Sequence, residues 1–162
     1  MIPQYKKIVF ATDMSKVSPE VLKHAICIAR AHDAKVEILH VLPDIDQAMI
    51  NYVSLFVDAD KMADDEIAHK DSVAAELTER LRKFASAELM DHPEDLERID
   101  RIEVLHGPPA STILSEVEKV GADLLLIGMH GKGKLDYSFV GSVAKKIVRR
   151  TQIPVQLIPL TH

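Results

Sequence analysis

The chain contains one cysteine, Cys27, so an intrachain disulfide is excluded. Its place inside a helical apolar pattern predicts a packed thiol. No apolar run approaches the roughly 20 residues that a helix needs to cross a bilayer. The opening residues, Met1-Ile2-Pro3-Gln4-Tyr5-Lys6-Lys7, have no long apolar stretch ahead of a cleavage site. The expectation is a cytoplasmic chain without membrane insertion. An excess of positive charge is also missing: 20 Lys and Arg stand against 25 Asp and Glu. The resulting net charge of −5 argues against a general nucleic-acid binder. Internal repeats, low-complexity tracts and the Gly-x-x-x-x-Gly-Lys-[Ser/Thr] phosphate loop are absent as well.

What remains is the composition of a globular protein, with 47% apolar and 28% charged residues in 162. That length suits one domain over residues 1–162 with a real hydrophobic core. Charge is unevenly spread. Residues 58–103 hold fifteen acids and seven bases, leaving ten acids and thirteen bases elsewhere.

Strand and helix patterns alternate. Lys7 to Thr12 reads as a buried strand ending at Asp13. Ser18 is placed as an N-cap, with Pro19 at the first helical position. Val21, Leu22, Ala25, Ile26 and Ala29 then follow at helical spacing. Val36 to Leu42 is the next strand, stopped by Pro43. Ile102 to His106 is a strand, Gly107-Pro108-Pro109 a turn, and Ala110, Ile113, Leu114 and Val117 the stripe of a helix closed by Gly121. Asp123 to Ile127 is an almost wholly apolar strand. Val140, Val143, Ala144, Ile147 and Val148 mark the last helix, and Ile153 to Leu160 the last strand. The predicted architecture is α/β: a doubly wound, five-stranded parallel sheet in a three-layer, Rossmann-like sandwich. A long crossover spans about 44–98, with a helix over Val73 to Ala85. The apolar stretch Ile45 to Val57 within it reads as a lid, an oligomer contact or a packed connection.

The segment with most chemistry is Gly128-Met129-His130-Gly131-Lys132-Gly133-Lys134-Leu135-Asp136-Tyr137-Ser138-Phe139-Val140-Gly141-Ser142. It runs from an apolar strand into an amphipathic helix. Glycines let a ligand approach the main chain, so amide N–H groups can converge on an anion. A helix starting near Gly141-Ser142 adds unpaired N–H groups and the positive end of its dipole. Ser142 can cap that helix or donate its hydroxyl to a phosphate. Lys132 and Lys134 are available as point charges or as solvated loop residues. Lys145, Lys146, Arg149 and Arg150 near the helix C-terminus are explained by the dipole alone.

Ligands of open parallel sheets sit outside the C-terminal strand ends. Asp13, Val41-Leu42 and the Gly128 loop all fall at such ends. Asp13 suits ribose hydroxyls, a metal ion or a turn bond; Val41 can offer backbone groups to an adenine edge. His40 and His106 lie at strand ends, and His130 lies inside the loop without an evident acid, base or metal partner in sequence.

The spacing of Gly128, Gly131, Gly141 and Ser142 resembles the ATP-binding signature of the universal stress protein family. The resemblance extends to the strand ending in Thr12-Asp13, the Gly107-Pro108-Pro109 turn, the Gly141-Ser142-Val143-Ala144 helix entry and the closing Pro154-Val155 strand. It implies an adenine nucleotide alpha hydrolase-like fold, with ATP as ligand, together with Mg²⁺. Asp13 then meets the ribose, with Thr12 beside it, and Val41 meets adenine through its backbone. Gly128, Met129, Gly131, Lys132, Gly133, Gly141, Ser142 and Val143 surround ribose and phosphates. A homodimer through Ile153 to Leu160 is also implied.

No catalytic base emerges from spacing, so nucleotide binding by a regulator is expected ahead of catalysis, with at most slow ATP hydrolysis. The alternatives are a nucleotide-dependent enzyme of related architecture and a nucleotide-independent interaction protein. An ATP pyrophosphatase-like ligase needs a Ser-Gly-Gly loop after the first strand, where this chain has Thr12-Asp13-Met14-Ser15.

Overall fold

Successive residues of the central strands are apolar, so both faces of the sheet need cover, and helices supply it on each side. The computed structural model describes residues 1–43, 59–131 and 139–160, with residues 59–69 as backbone. The elements are β1 (Lys7–Ala11), α1 (Ser18–His32), β2 (Lys35–Leu42), α2 (Ala59–Glu88), a 3-10 helix (Pro93–Arg98), β3 (Ile99–His106), α3 (Pro109–Val120), β4 (Leu124–Gly128), α4 (Ser142–Arg150) and β5 (Val155–Ile158). They build a five-stranded sheet in the order β3-β2-β1-β4-β5, with every neighbouring pair parallel.

Period-two alternation divides the core into two layers. Ile8, Phe10, Val36, Ile38, Leu124 and Leu126 face α1 and α2 with Val21, Leu22, Ala25, Leu81 and Ala85. Val9, Ala11, Leu39, Val41, Leu125 and Ile127 face α3 and α4 with Ala110, Ile113, Val117, Ala144 and Ile147. Phe10, Leu39, Leu125 and Leu126 are wholly shielded from water. Full burial of each such side chain is worth about 1.5–3 kcal/mol.

Helix ends follow local chemistry. Gly121 sits at φ 66° after α3, and its N–H reaches the carbonyl of Val117 or Glu118. That left-handed turn favours glycine. Asp33 takes the equivalent position after α1 at φ 50°. An ion pair then ties the 3-10 helix to α1: Arg30 donates to both carboxylate oxygens of buried Asp95. Arg98 approaches the same carboxylate at 3.5 Å. The Arg30 hydrogen bonds hold the Asp95 carboxyl below the usual carboxylate range, outweighing its burial.

Three expectations change. Val17, not Ser18, caps α1, and no side chain caps its N-terminus. Ser18 is the first helical residue, buried, with its hydroxyl 2.8 Å from Thr12 Oγ1. Cys27 is exposed. It lies beside rather than within the stripe Val21, Leu22, Ala25, Ile26, Ala29 that contacts the sheet. The crossover helix is 30 residues long and begins well before Val73. Its acidic, weakly apolar N-terminal half gave no periodic signal. The stretch Ile45 to Val57 lies outside the described residues.

Candidate functional site

Strand register brings the C-terminal ends of the strands to one edge. Ala11 pairs with Leu39 on one side and Ile127 on the other, and Gly128 pairs with Ile158. Strand order reverses between β1 and β4, because β1 leads to β2 and β3 while the chain then crosses back to β4. The two connections leave on opposite faces there, and a crevice opens between them. A cavity of about 480 Å³ occupies this place. Its walls come from β1 (Ala11, with Thr12 and Asp13 beyond it), β2 (Leu39 to Leu42), α3 (Pro109, Ile113), β4 (Ile127, Gly128) and the start of α4 (Ser142 to Ala144).

Most of the sequence-predicted residues converge here: Thr12, Asp13, Val41, Gly128, Gly131, Gly141, Ser142 and Val143 all line the cavity. Met129 does not line it; its N–H donates to Ile158 and its carbonyl accepts from Gly141, both at 2.8 Å. Its backbone therefore fastens the loop to β5 and to the entry of α4. Lys132 and Gly133 lie outside the described residues.

Thr12 serves as a structural junction. Its N–H donates to Leu39, its hydroxyl accepts from Met14 N–H at 2.9 Å, and its carbonyl accepts from His40 Nδ1 at 2.7 Å. A carbonyl only accepts, so His40 Nδ1 carries the hydrogen. Asp13 is exposed, and its Oδ1 accepts from Ser15 N–H at 3.0 Å, a turn bond that also fixes the carboxylate at the cavity rim. Met14 follows at φ 61°.

The three glycines differ in purpose. A Cβ on Gly128 would come within 2.5 Å of Val17 Cγ1, so Gly128 allows the start of α1 to approach β4. A Cβ on Gly141 would lie 3.1 Å from Gly131 N, so Gly141 lets the two ends of the loop touch. A Cβ on Gly131 would meet nothing within 4 Å among the described residues, leaving a bare backbone at the cavity wall. Gly141 is the N-cap of α4 and no side chain caps the helix. Ser142 is its exposed first residue and lines the cavity, and among the described residues no side-chain cap bonds the first amides of α4.

Sequence reading attached no partner to His130. In the structure it is buried, and its Nδ1 lies 3.1 Å from the carbonyl of Phe139 across the loop. The wall from α3, Pro109 and Ile113, went unrecognised as part of the site. Its signal was available: the Gly107-Pro108-Pro109 turn follows a strand and so lies at the same sheet edge. His106 is not among the residues that line the cavity. Among the described residues no group of three or more His, Cys, Asp or Glu is arranged to hold a metal ion.

The fold and its crevice define a doubly wound α/β protein with a cavity at the switch point, between an apolar slot and a helix N-terminus. The chain belongs to the Universal stress protein family, whose profile matches residues 4–159. It is 32% identical over 154 residues to Universal stress protein MJ0531 of Methanocaldococcus jannaschii, covering 95% of this chain and 82% of that one. It is 25% identical over 158 residues to Universal stress protein MJ0577 of the same organism, covering 98% and 97%. The solved structure of MJ0577 superposes with a TM-score of 0.70, covering 99% of both chains. A universal stress protein solved in complex with cAMP shares the fold at 21% identity, with a TM-score of 0.57 and coverage of 97% and 98%. No helix among the described residues is long and apolar enough to cross a membrane.

Proposed function

We propose that this chain is a cytoplasmic ATP-binding regulator, a single domain over residues 1–162 that reports nucleotide level through its surface or assembly. One observation carries the reading: an apolar slot and an uncapped helix N-terminus open into a single cavity of about 480 Å³. That volume lies within the roughly 300–1,000 Å³ typical of small-ligand sites. Leu39, Val41 and Ile113 suit the flat apolar faces of adenine. Backbone groups of Val41 read its edge, and Asp13 at the rim accepts hydrogen bonds from ribose hydroxyls. Gly131, Gly141, Ser142 and Val143 surround the phosphates, with amide N–H groups and the helix dipole matching their charge. Lys132 and Gly133 continue this loop.

Asp13 is the one carboxylate among the described residues lining the cavity. Mg²⁺ therefore enters with the triphosphate, which supplies most of its ligands. Among the described residues lining the site, Thr12 holds a turn, His40 bonds the Thr12 carbonyl and His130 lies on the Phe139 carbonyl. They position more readily than they catalyse, so ATP turnover is slow at most. A homodimer forms through the last strand, Ile153 to Leu160, where β5 is an edge of the sheet.

Titration with ATP, ADP and AMP, with and without Mg²⁺, tests the reading through thermal stability. A ligand at 100 times its Kd stabilises by about 2.7 kcal/mol. Gly131→Val fills open space at the phosphate approach, so this variant folds and loses the ATP-induced shift. Unchanged affinity in the folded variant removes the phosphates from this loop, and absence of any nucleotide shift in the wild type refutes the proposal.

A further inference from the structure

Below the cavity, between β2 and α3, lies a buried pair of acids. Glu37 on β2 is wholly shielded from water and Glu116 on α3 is 3% exposed. Among the described residues, neither carboxylate oxygen of Glu37 has a hydrogen-bond partner, nor does Oε1 of Glu116. Glu116 Oε2 lies 3.7 Å from Lys119 Nζ, on a side chain that is mostly exposed. The β2 face bearing Glu37 continues upward as Leu39 and Val41, and the α3 face bearing Glu116 begins with Ala110 and Ile113. Leu39, Val41 and Ile113 line the cavity. The two acids thus meet at the foot of the two walls that enclose the apolar slot.

Charges around the pair come from three elements. Arg101 of β3 is the register partner of Glu37, directly after an irregularity in the β2–β3 ladder, and is itself paired with Glu103 at 2.7 Å. Lys7 of β1 also acts on Glu37, and Lys119 of α3 on Glu116. Val9, Val117, Ala122 and Leu125 of this layer are apolar. Two ionised carboxylates without water repel strongly, whereas one proton between them permits an O–H···O contact. Burial first, and Glu116 second, push the Glu37 carboxyl up to about 7 against the pull of Arg101 and Lys7.

Resting on the nucleotide reading above, we propose that Glu37 and Glu116 share one proton that holds α3 against β2, and that losing it loosens this junction and weakens nucleotide binding. The sign follows from linkage. The folded carboxyl sits above its ordinary value of 4.5, so its stabilising effect is complete below that value and is lost as the pH rises through about 7.

Calorimetric titration with MgATP at about pH 6 and about pH 8 tests the coupling, comparing wild type with Glu37→Gln and Glu116→Gln. Wild-type affinity is expected to fall about five-fold or more over this range relative to either variant. A slope common to all three proteins belongs to groups other than this pair. Equal slopes overturn the coupling. Carboxyl ¹³C shifts of unliganded wild type test the proton itself without any substitution, and a Glu37 midpoint near 4.5 overturns the sharing. Failure to bind MgATP at either pH overturns the nucleotide reading and the affinity half of the proposal, while the ¹³C titration decides the other half.

Discussion

A methyl group on Gly128 has nowhere to go. It would lie 2.5 Å from Val17 Cγ1, against about 3.5–4.0 Å for two carbons in contact. Val17 is buried, and its branched side chain is stiff about χ1, so it does not rotate aside cheaply. Gly128→Ala is therefore expected to cost about 1–3 kcal/mol as an overpacking substitution. Val17→Ala removes two buried methyl groups and costs about 1.5–2.5 kcal/mol. The two changes together are not additive: the new methyl occupies the space vacated by Val17. The double variant should stand near Val17→Ala alone, a coupling of about 1–3 kcal/mol that equals the cost of Gly128→Ala by itself. Gly131→Ala is the internal control. Its methyl meets nothing within 4 Å among the described residues, so stability should stay within about 0.5 kcal/mol. Urea unfolding reads all four proteins, provided the slope with denaturant is unchanged. Strict additivity, or a loss at Gly131 equal to that at Gly128, would refute the separation of the glycines into one that packs and one that opens to ligand.

Asp13→Ala is expected to weaken ATP binding by about ten-fold, or 1.4 kcal/mol, while leaving the melting temperature nearly unchanged, because Asp13 is exposed. Full affinity in that variant removes Asp13 from the ribose. Asp95→Asn should lose about 1–2 kcal/mol at neutral pH through its charge-assisted bonds to Arg30. The folded Asp95 carboxyl lies below its ordinary value of 3.8, so this contribution is present above 3.8 and disappears on acidification. A gap between wild type and variant that persists in acid contradicts the ion pair. Cys27, exposed on α1, should react with a water-soluble thiol reagent in the folded protein, and Cys27→Ser should change stability by less than about 0.5 kcal/mol. A thiol that reacts only after unfolding speaks for burial instead.

The sheet was readable because its strands are short apolar runs bounded by residues that stop them, and because helices of period 3.6 lie between. Asp13 after β1, Pro43 after β2 and the glycines after β4 marked the C-terminal edge, where the topology rule, the glycine pattern and the family resemblance together led a ligand site to be expected. Boundaries were less legible. β3 begins at Ile99, three residues before the apolar alternation becomes clear, because Asp100 and Arg101 are polar and the ladder is irregular there. Cys27 was misjudged because an apolar residue one position off the buried stripe looks, in one dimension, like part of it.

Polar partnerships were the least accessible. His130 and Phe139 are nine residues apart and meet only because the loop ends are drawn together by the Gly141 to Met129 hydrogen bond. Glu37 lies in β2 and Glu116 in α3, and nothing in either local pattern pairs the two. Local sequence determined which segments become strands and helices and where the phosphate-type loop lies, since propensity, periodicity and glycine content act over a few residues. Tertiary structure alone decided which glycine packs and which borders the cavity, and it brought two acids 79 positions apart in numbering, 37 and 116, into one buried layer. Burial and charge pairing depend on what the far parts of the chain place nearby, and no local pattern carries that distance.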